Sequence, residues 1–132
     1  MPARPDAEAV QFQYAVVRVV PRVERGESLN AGVIVLSRPK RFLGARVSLD
    51  EARLRALAPD ADPATILPHL EAIERIAAGD PTAGPIAQLS IAERFHWLTS
   101  PSSTIVQPSE VHTGLCEDPA GELDRLFERL VR

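Results

Sequence analysis

The sequence predicts an α+β domain in which the strands come first and the helices follow. Three observations carry this reading. Apolar alternation with a period of two is concentrated in the N-terminal part, helix-start signals begin at Ser48, and a helical apolar stripe closes the chain. The 132 residues, 45% of them hydrophobic, fit one ordinary domain, which buries roughly two-thirds of the surface that its unfolded form exposes. The expected organisation is a flexible segment at 1–10 followed by a single domain at 11–132.

The first strand is expected near 12–20. Phe12, Tyr14, Val16, Arg18 and Val20 form one face, and Gln11, Gln13, Ala15, Val17 and Val19 form the other. Both turn apolar toward the C-terminal end, as in a strand covered on both sides. Pro21 removes a ladder donor and ends it. A charged connection containing Gly26 leads to a second strand near 29–37, again apolar on both faces. After the basic turn Arg38-Pro39-Lys40-Arg41, a third strand near 41–48 directs Leu43, Ala45 and Val47 inward. Its Phe42, Gly44 and Arg46 face outward, toward solvent. The short connections favour an antiparallel meander. A later β-prone stretch, 103–107, would bring the sheet from three strands to four. Two strands that are apolar on both faces need two covers, supplied by helices or by a homodimer interface.

The helices are expected near 50–58, 63–78, 91–98 and 119–131. Ser48 with Glu51, and Ser90 with Glu93, fit capping boxes. Asp62-Pro63 and Asp118-Pro119 place Pro at the first helical position, where its missing N–H costs nothing. Pro68 interrupts the second helix, so a kink or a separate first turn is expected there. Gly79 supplies a left-handed stop. Leu123, Leu126, Phe127, Leu130 and Val131 form the closing stripe.

Composition excludes several classes. One Cys, Cys116, leaves no internal disulfide framework and no Cys-rich zinc module. No apolar run approaches the roughly 20 residues that span a bilayer, and the first residues lack the apolar stretch of a secretory signal. The expectation is a cytoplasmic protein with no membrane contact, no metal and no cofactor. Arg fills fourteen of the fifteen basic positions. Residues 1–46 carry eight basic side chains against four acidic ones, and residues 47–132 carry seven against fourteen. A basic strand half suits an anionic partner, while the net charge of −3 disfavours nucleic acid. No helix-turn-helix, Rossmann glycine motif or phosphate loop is present.

Three constellations are candidates for chemistry. Arg18 stands on an apolar strand face, where a guanidinium needs a carboxylate or carbonyls to offset its desolvation. Glu27 and Asn30 flank the next strand and are its expected partners, first as a structural pair and second as a ligand site. The second is Arg94-Phe95-His96-Trp97 with Ser102, Ser103 and Thr104. Arg94 and Trp97 share a helix face and would stack. That stack, with the Ser/Thr stretch as a turn, is the first reading; the alternative is an anion or phosphopeptide cradle in which Arg94, His96 and the hydroxyls of Ser102, Ser103 and Thr104 converge. The third is His112 with Cys116, too few ligands for structural zinc and a weak nucleophile–base pair.

The stretches Tyr14-Ala15-Val16-Val17-Arg18-Val19-Val20-Pro21, Arg25-Gly26-Glu27-Ser28-Leu29-Asn30-Ala31-Gly32-Val33, Arg94-Phe95-His96-Trp97 and His112-Thr113-Gly114-Leu115-Cys116-Glu117-Asp118-Pro119 resemble the bacterial domain of unknown function 3037 family. The family carries no assigned activity. The resemblance implies a genomic neighbourhood with a HipA-like kinase, and so a partner or antitoxin-like regulator. The leading expectation is therefore a non-enzymatic accessory or regulatory protein that binds a protein partner, a HipA-like kinase among the candidates. The alternative is a small enzyme or binding domain for a phosphorylated or other anionic ligand, using Arg18, Glu27, Asn30, Arg94 and His112. That alternative requires these groups to converge in one pocket.

Overall fold

A computed structural model describes residues 8–102 and 104–132. Strand β1 (Val10–Val19) pairs along one edge with β2 (Leu29–Ser37), which pairs in turn with β3 (Phe42–Val47). Ten residues of β1 leave its other edge long enough for two short strands placed end to end. β4 (Val106–Pro108) takes Val17–Val19, and β5 (His112–Cys116) takes Val10–Tyr14. All pairings are antiparallel. Among the described residues the sheet thus has five strands, and the expectation of three or four is corrected. The missed strand is β5, whose His, Gly and Cys read as a chemical motif although Leu115 and Thr113 alternate with them. The strand expected at 103–107 is shifted to 106–108. Val10 already pairs with Cys116, so the sheet begins inside the segment expected at 1–10, of which residues 1–7 lie outside the described residues.

The helices are α1 (Glu51–Leu57), α2 (Pro63–Ala78), α3 (Ile91–Leu98) and α4 (Pro119–Leu130), with a short 3-10 turn at Pro85–Gln88. Asp50, not Ser48, caps α1 by accepting from the Arg53 N–H at 3.1 Å. Ser90 caps α3 as expected, accepting from the Glu93 N–H at 3.2 Å. The Glu93 carboxylate takes the Ser90 hydroxyl at 2.9 Å rather than closing the box on backbone. α2 runs through Pro68 without a break. Pro68 is exposed, so the lost backbone bond falls on the solvent side, where water replaces it.

Each face of the sheet has its own cover. Val17, Val19, Ile34 and Leu36 meet Leu54 of α1, Ile66 and Leu70 of α2, and Phe95 and Leu98 of α3. On the opposite face Phe12, Val33 and Val35 meet Leu123, Leu126 and Phe127 of α4. The two covers that the strand pattern demands come from the chain's own helices. The outward face of β3 is not solvated as expected. A Cβ on Gly44 would lie 3.1 Å from Leu123 Cδ2, so the missing side chain lets α4 settle there. Arg46 lies over the Phe127 ring, 4.2 Å from its centroid, and pairs with Asp124 at 2.9 Å.

Gly79 ends α2 in the left-handed conformation, φ 72°, and Asp80 locks the turn that follows. Its carboxylate accepts the Thr82 N–H and hydroxyl, both at 2.8 Å, and the Arg75 Nε–H at 3.0 Å. Those donors, the Thr82 N–H foremost, hold the Asp80 pKa down to about 2. A folded-state value below the ordinary one of about 3.9 stabilises the fold above about pH 4, and this contribution is lost as pH falls toward 2. Asp80→Asn should therefore flatten the acid limb of the stability curve while leaving its shape above pH 5 unchanged. Urea melts of both proteins across that range check this.

Candidate functional site

The site starts from an irregularity in the β1–β2 ladder. Val17 faces Gly32, yet Arg18 faces Asn30, so Ala31 is an extra residue in β2. In an unbroken register Arg18 would oppose Ala31, and Asn30 would oppose Val19 on the face covered by α1–α3. The bulge moves Asn30 to the α4 face and sets it beside Arg18, a re-aiming typical of bulges. Gly32 permits the close approach of β3 at this point, since a Cβ there would lie 2.8 Å from the Arg46 carbonyl oxygen. On the other side Arg18 faces Gln107 of β4. Directly opposed residues share a face, so Gln107, Arg18 and Asn30 form a polar row across three strands.

Three described arginines are half-buried: Arg18, Arg46 and Arg94. Arg46 is held by Asp124 and Phe127. Arg94 donates to the carbonyls of Leu89, Ile76 and Ala77 at 2.9, 3.0 and 2.9 Å. Arg18 has no carboxylate within 4.0 Å among the described residues. The expected partner Glu27 lies beyond the end of β2 and accepts from Arg25 Nε at 2.7 Å instead. That bond lowers the Glu27 pKa and raises that of Arg25. Asn30 donates its amide to the Leu130 carbonyl at 2.9 Å, and Gln107 donates to that of Thr104 at 2.7 Å. These bonds fix both amide side chains on the strands that neighbour Arg18.

Along the same face His112 lies opposite Tyr14, with ring centroids 5.0 Å apart. It is also 3.5 Å from the Glu110 carboxylate. Ser109, buried between β4 and β5, clamps β1 at Val16 by accepting its N–H and donating its own to its carbonyl, each at 2.8 Å. Cys116 points to this face four residues beyond His112, about 13 Å along an extended strand, so the two share no metal and form no catalytic pair. Burial, with Glu122 and Asp118 nearby, pushes the Cys116 thiol pKa up, away from nucleophilic use.

The second constellation disperses. Arg94 ties α3 to the end of α2 and does not stack on Trp97. His96 is exposed, Trp97 is 51% exposed, and the Thr104 hydroxyl donates to the Val106 carbonyl at 2.9 Å. Ser103 lies outside the described residues. Arg94 works on the α1–α3 side of the sheet, whereas Arg18, Asn30 and His112 lie on the α4 side. The groups required by the enzyme alternative thus do not converge in one pocket.

The pattern that combines β1, the bulged β2, α3 and β5 through α4 matches the family model described as protein of unknown function (DUF3037) over residues 14–131. The chain belongs to the DUF3037 family. It matches no curated protein and no solved structure. The DUF3037 match spans the Gln107–Arg18–Asn30 row and nearly all of the fold around it. No described helix is long and apolar enough to cross a membrane.

Sequence reasoning found Arg18 and Asn30 but missed Gln107 and Ser109. The alternation Val106-Gln107-Pro108 was the available signal for Gln107, since it turns the amide away from the apolar face. Nothing local announces that Ser109 caps a gap between two strands.

Proposed function

We propose that this chain is a non-enzymatic accessory protein that binds an acidic group of a protein partner on the sheet face carrying Arg18. The observation that carries this reading is the half-buried Arg18 side chain, without a carboxylate within 4.0 Å among the described residues and opposed on its two neighbouring strands by amide side chains that are themselves tied to backbone carbonyls. Arg18 offers planar donors matched to a carboxylate or phosphate. In a site already half removed from water, such a pair is stronger than on an open surface. A HipA-like kinase, the partner that the family resemblance implies, is the first to test, in an antitoxin-like arrangement.

Co-expression with a HipA-like kinase of the same genome should yield a stable complex. Arg18→Glu should weaken it by about ten- to a hundredfold, the loss of a charge-assisted bond of roughly 1.5–3 kcal/mol. Arg18→Lys should restore part of the affinity. No complex with the wild-type chain discards the kinase as partner. A complex that survives Arg18→Glu in a folded variant discards the site.

A further inference from the structure

A concavity lies on the face of the β1–β4 pair opposite to Arg18. It is a cavity of about 440 Å³ between α2, the end of α3 and β4, within the size range of small-molecule sites. Val17 and Val106 line it from the sheet, Ile73 and Ile76 from α2, and Trp97 stands exposed beside it. Among the described residues no Asp, Glu, Lys or Arg lines it, and His69 is the one titratable side chain there. A charged ligand would lose hydration there without a counter-charge, so the cavity selects a neutral one.

The hydroxyls at the mouth narrow the class further. Thr104 donates its proton to the Val106 carbonyl at 2.9 Å, so Ser102 is the donor in the 2.9 Å bond between the two hydroxyls. Ser100 donates to the His96 carbonyl at 2.7 Å. All three protons are committed within the protein, and the oxygens offer lone pairs only. The indole of Trp97 adds a flat apolar surface that favours offset stacking. We propose that this cavity binds a neutral, planar heteroaromatic compound carrying a ring N–H, stacked on Trp97 with its N–H toward Ser102 and Thr104. This site is independent of the acidic-group reading for Arg18.

The test is an amide and indole NMR titration of the full chain with indazole, a neutral bicycle with a ring N–H, and with 1-methylindazole, which lacks it. Indazole should give saturable shifts at Ile73, Thr104 and the Trp97 indole, and methylation should weaken binding about three- to tenfold. Ile73→Trp, which fills the cavity, should abolish the shifts, while Arg18→Glu should leave them intact. Absence of saturable shifts with wild-type protein up to the solubility limit would overturn the proposal, as would equal binding of the methylated compound. Loss of indazole binding in Arg18→Glu would place the probe on the other face and overturn it too.

Discussion

Phe127→Ala should cost about 3–5 kcal/mol, the usual range for emptying a buried phenylalanine site. Phe127 is 2% exposed and packs within the cluster of Phe12, Val33, Val35 and Leu123 that attaches α4 to the sheet. Its ring also carries the Arg46 guanidinium, an attraction of roughly 0.5–1 kcal/mol that goes with it. Small domains have only about 5–15 kcal/mol of net stability, so the variant should melt roughly 10–20 °C lower. Leu115→Ala, at a side chain 67% exposed, should change stability by about 0.5 kcal/mol or less. A melting temperature for Phe127→Ala within a few degrees of wild type would mean that α4 is not what seals this face.

The consequence reaches the polar row, because α4 ends on it. The Leu130 carbonyl accepts from Asn30 and the Val131 carbonyl from Arg53, at 2.9 and 3.1 Å. These donors satisfy helix-end carbonyls that lack intrahelical partners. The helix that closes the core therefore also fixes one of the two amides beside Arg18.

The elements of the fold were legible because their signals are local. The double-faced apolar pattern of residues 12–20 and 29–36 required two covers, and the Asp118-Pro119 start with its apolar stripe announced one of them. What hid was relational. The bulge at Ala31 depends on how β2 registers against β1, and only that register turns Asn30 toward Arg18. The outward face of β3 read as solvated because Gly44, an absence of side chain, is what admits Leu123. Arg18 was legible for the same reason that it matters: a charge on an apolar strand face breaks a local rule. Its lack of a carboxylate, by contrast, follows from Glu27 lying past the sheet end, which sequence proximity concealed.

Arg94 is a structural arginine, in contrast to the binding role proposed for Arg18. Its guanidinium spans the carbonyls of Ile76 and Ala77, in the last turn of α2, and of Leu89, just before α3. Hydrogen bonds from a charged donor contribute roughly 1.5–3 kcal/mol each and do not add fully when one group makes several. A cation at a helix C-terminus gains a few tenths more from the aligned peptide dipoles. Arg94→Ala should therefore destabilise the fold by about 2–4 kcal/mol, and Arg94→Lys should recover less than half, because a single ammonium does not reproduce a planar fork. At a temperature where both variants are folded, affinity for the partner should match wild type, since Arg94 acts on the helical side and Arg18 on the other. Denaturant melts and binding measured on the same samples decide the matter. A variant that melts like wild type yet loses the partner would move the interface to α3 and remove the case for the Arg18 face. Loss of stability with affinity intact would instead fix Arg94 as a brace between α2 and α3, and leave Arg18 as the half-buried arginine free to meet an acidic group from outside.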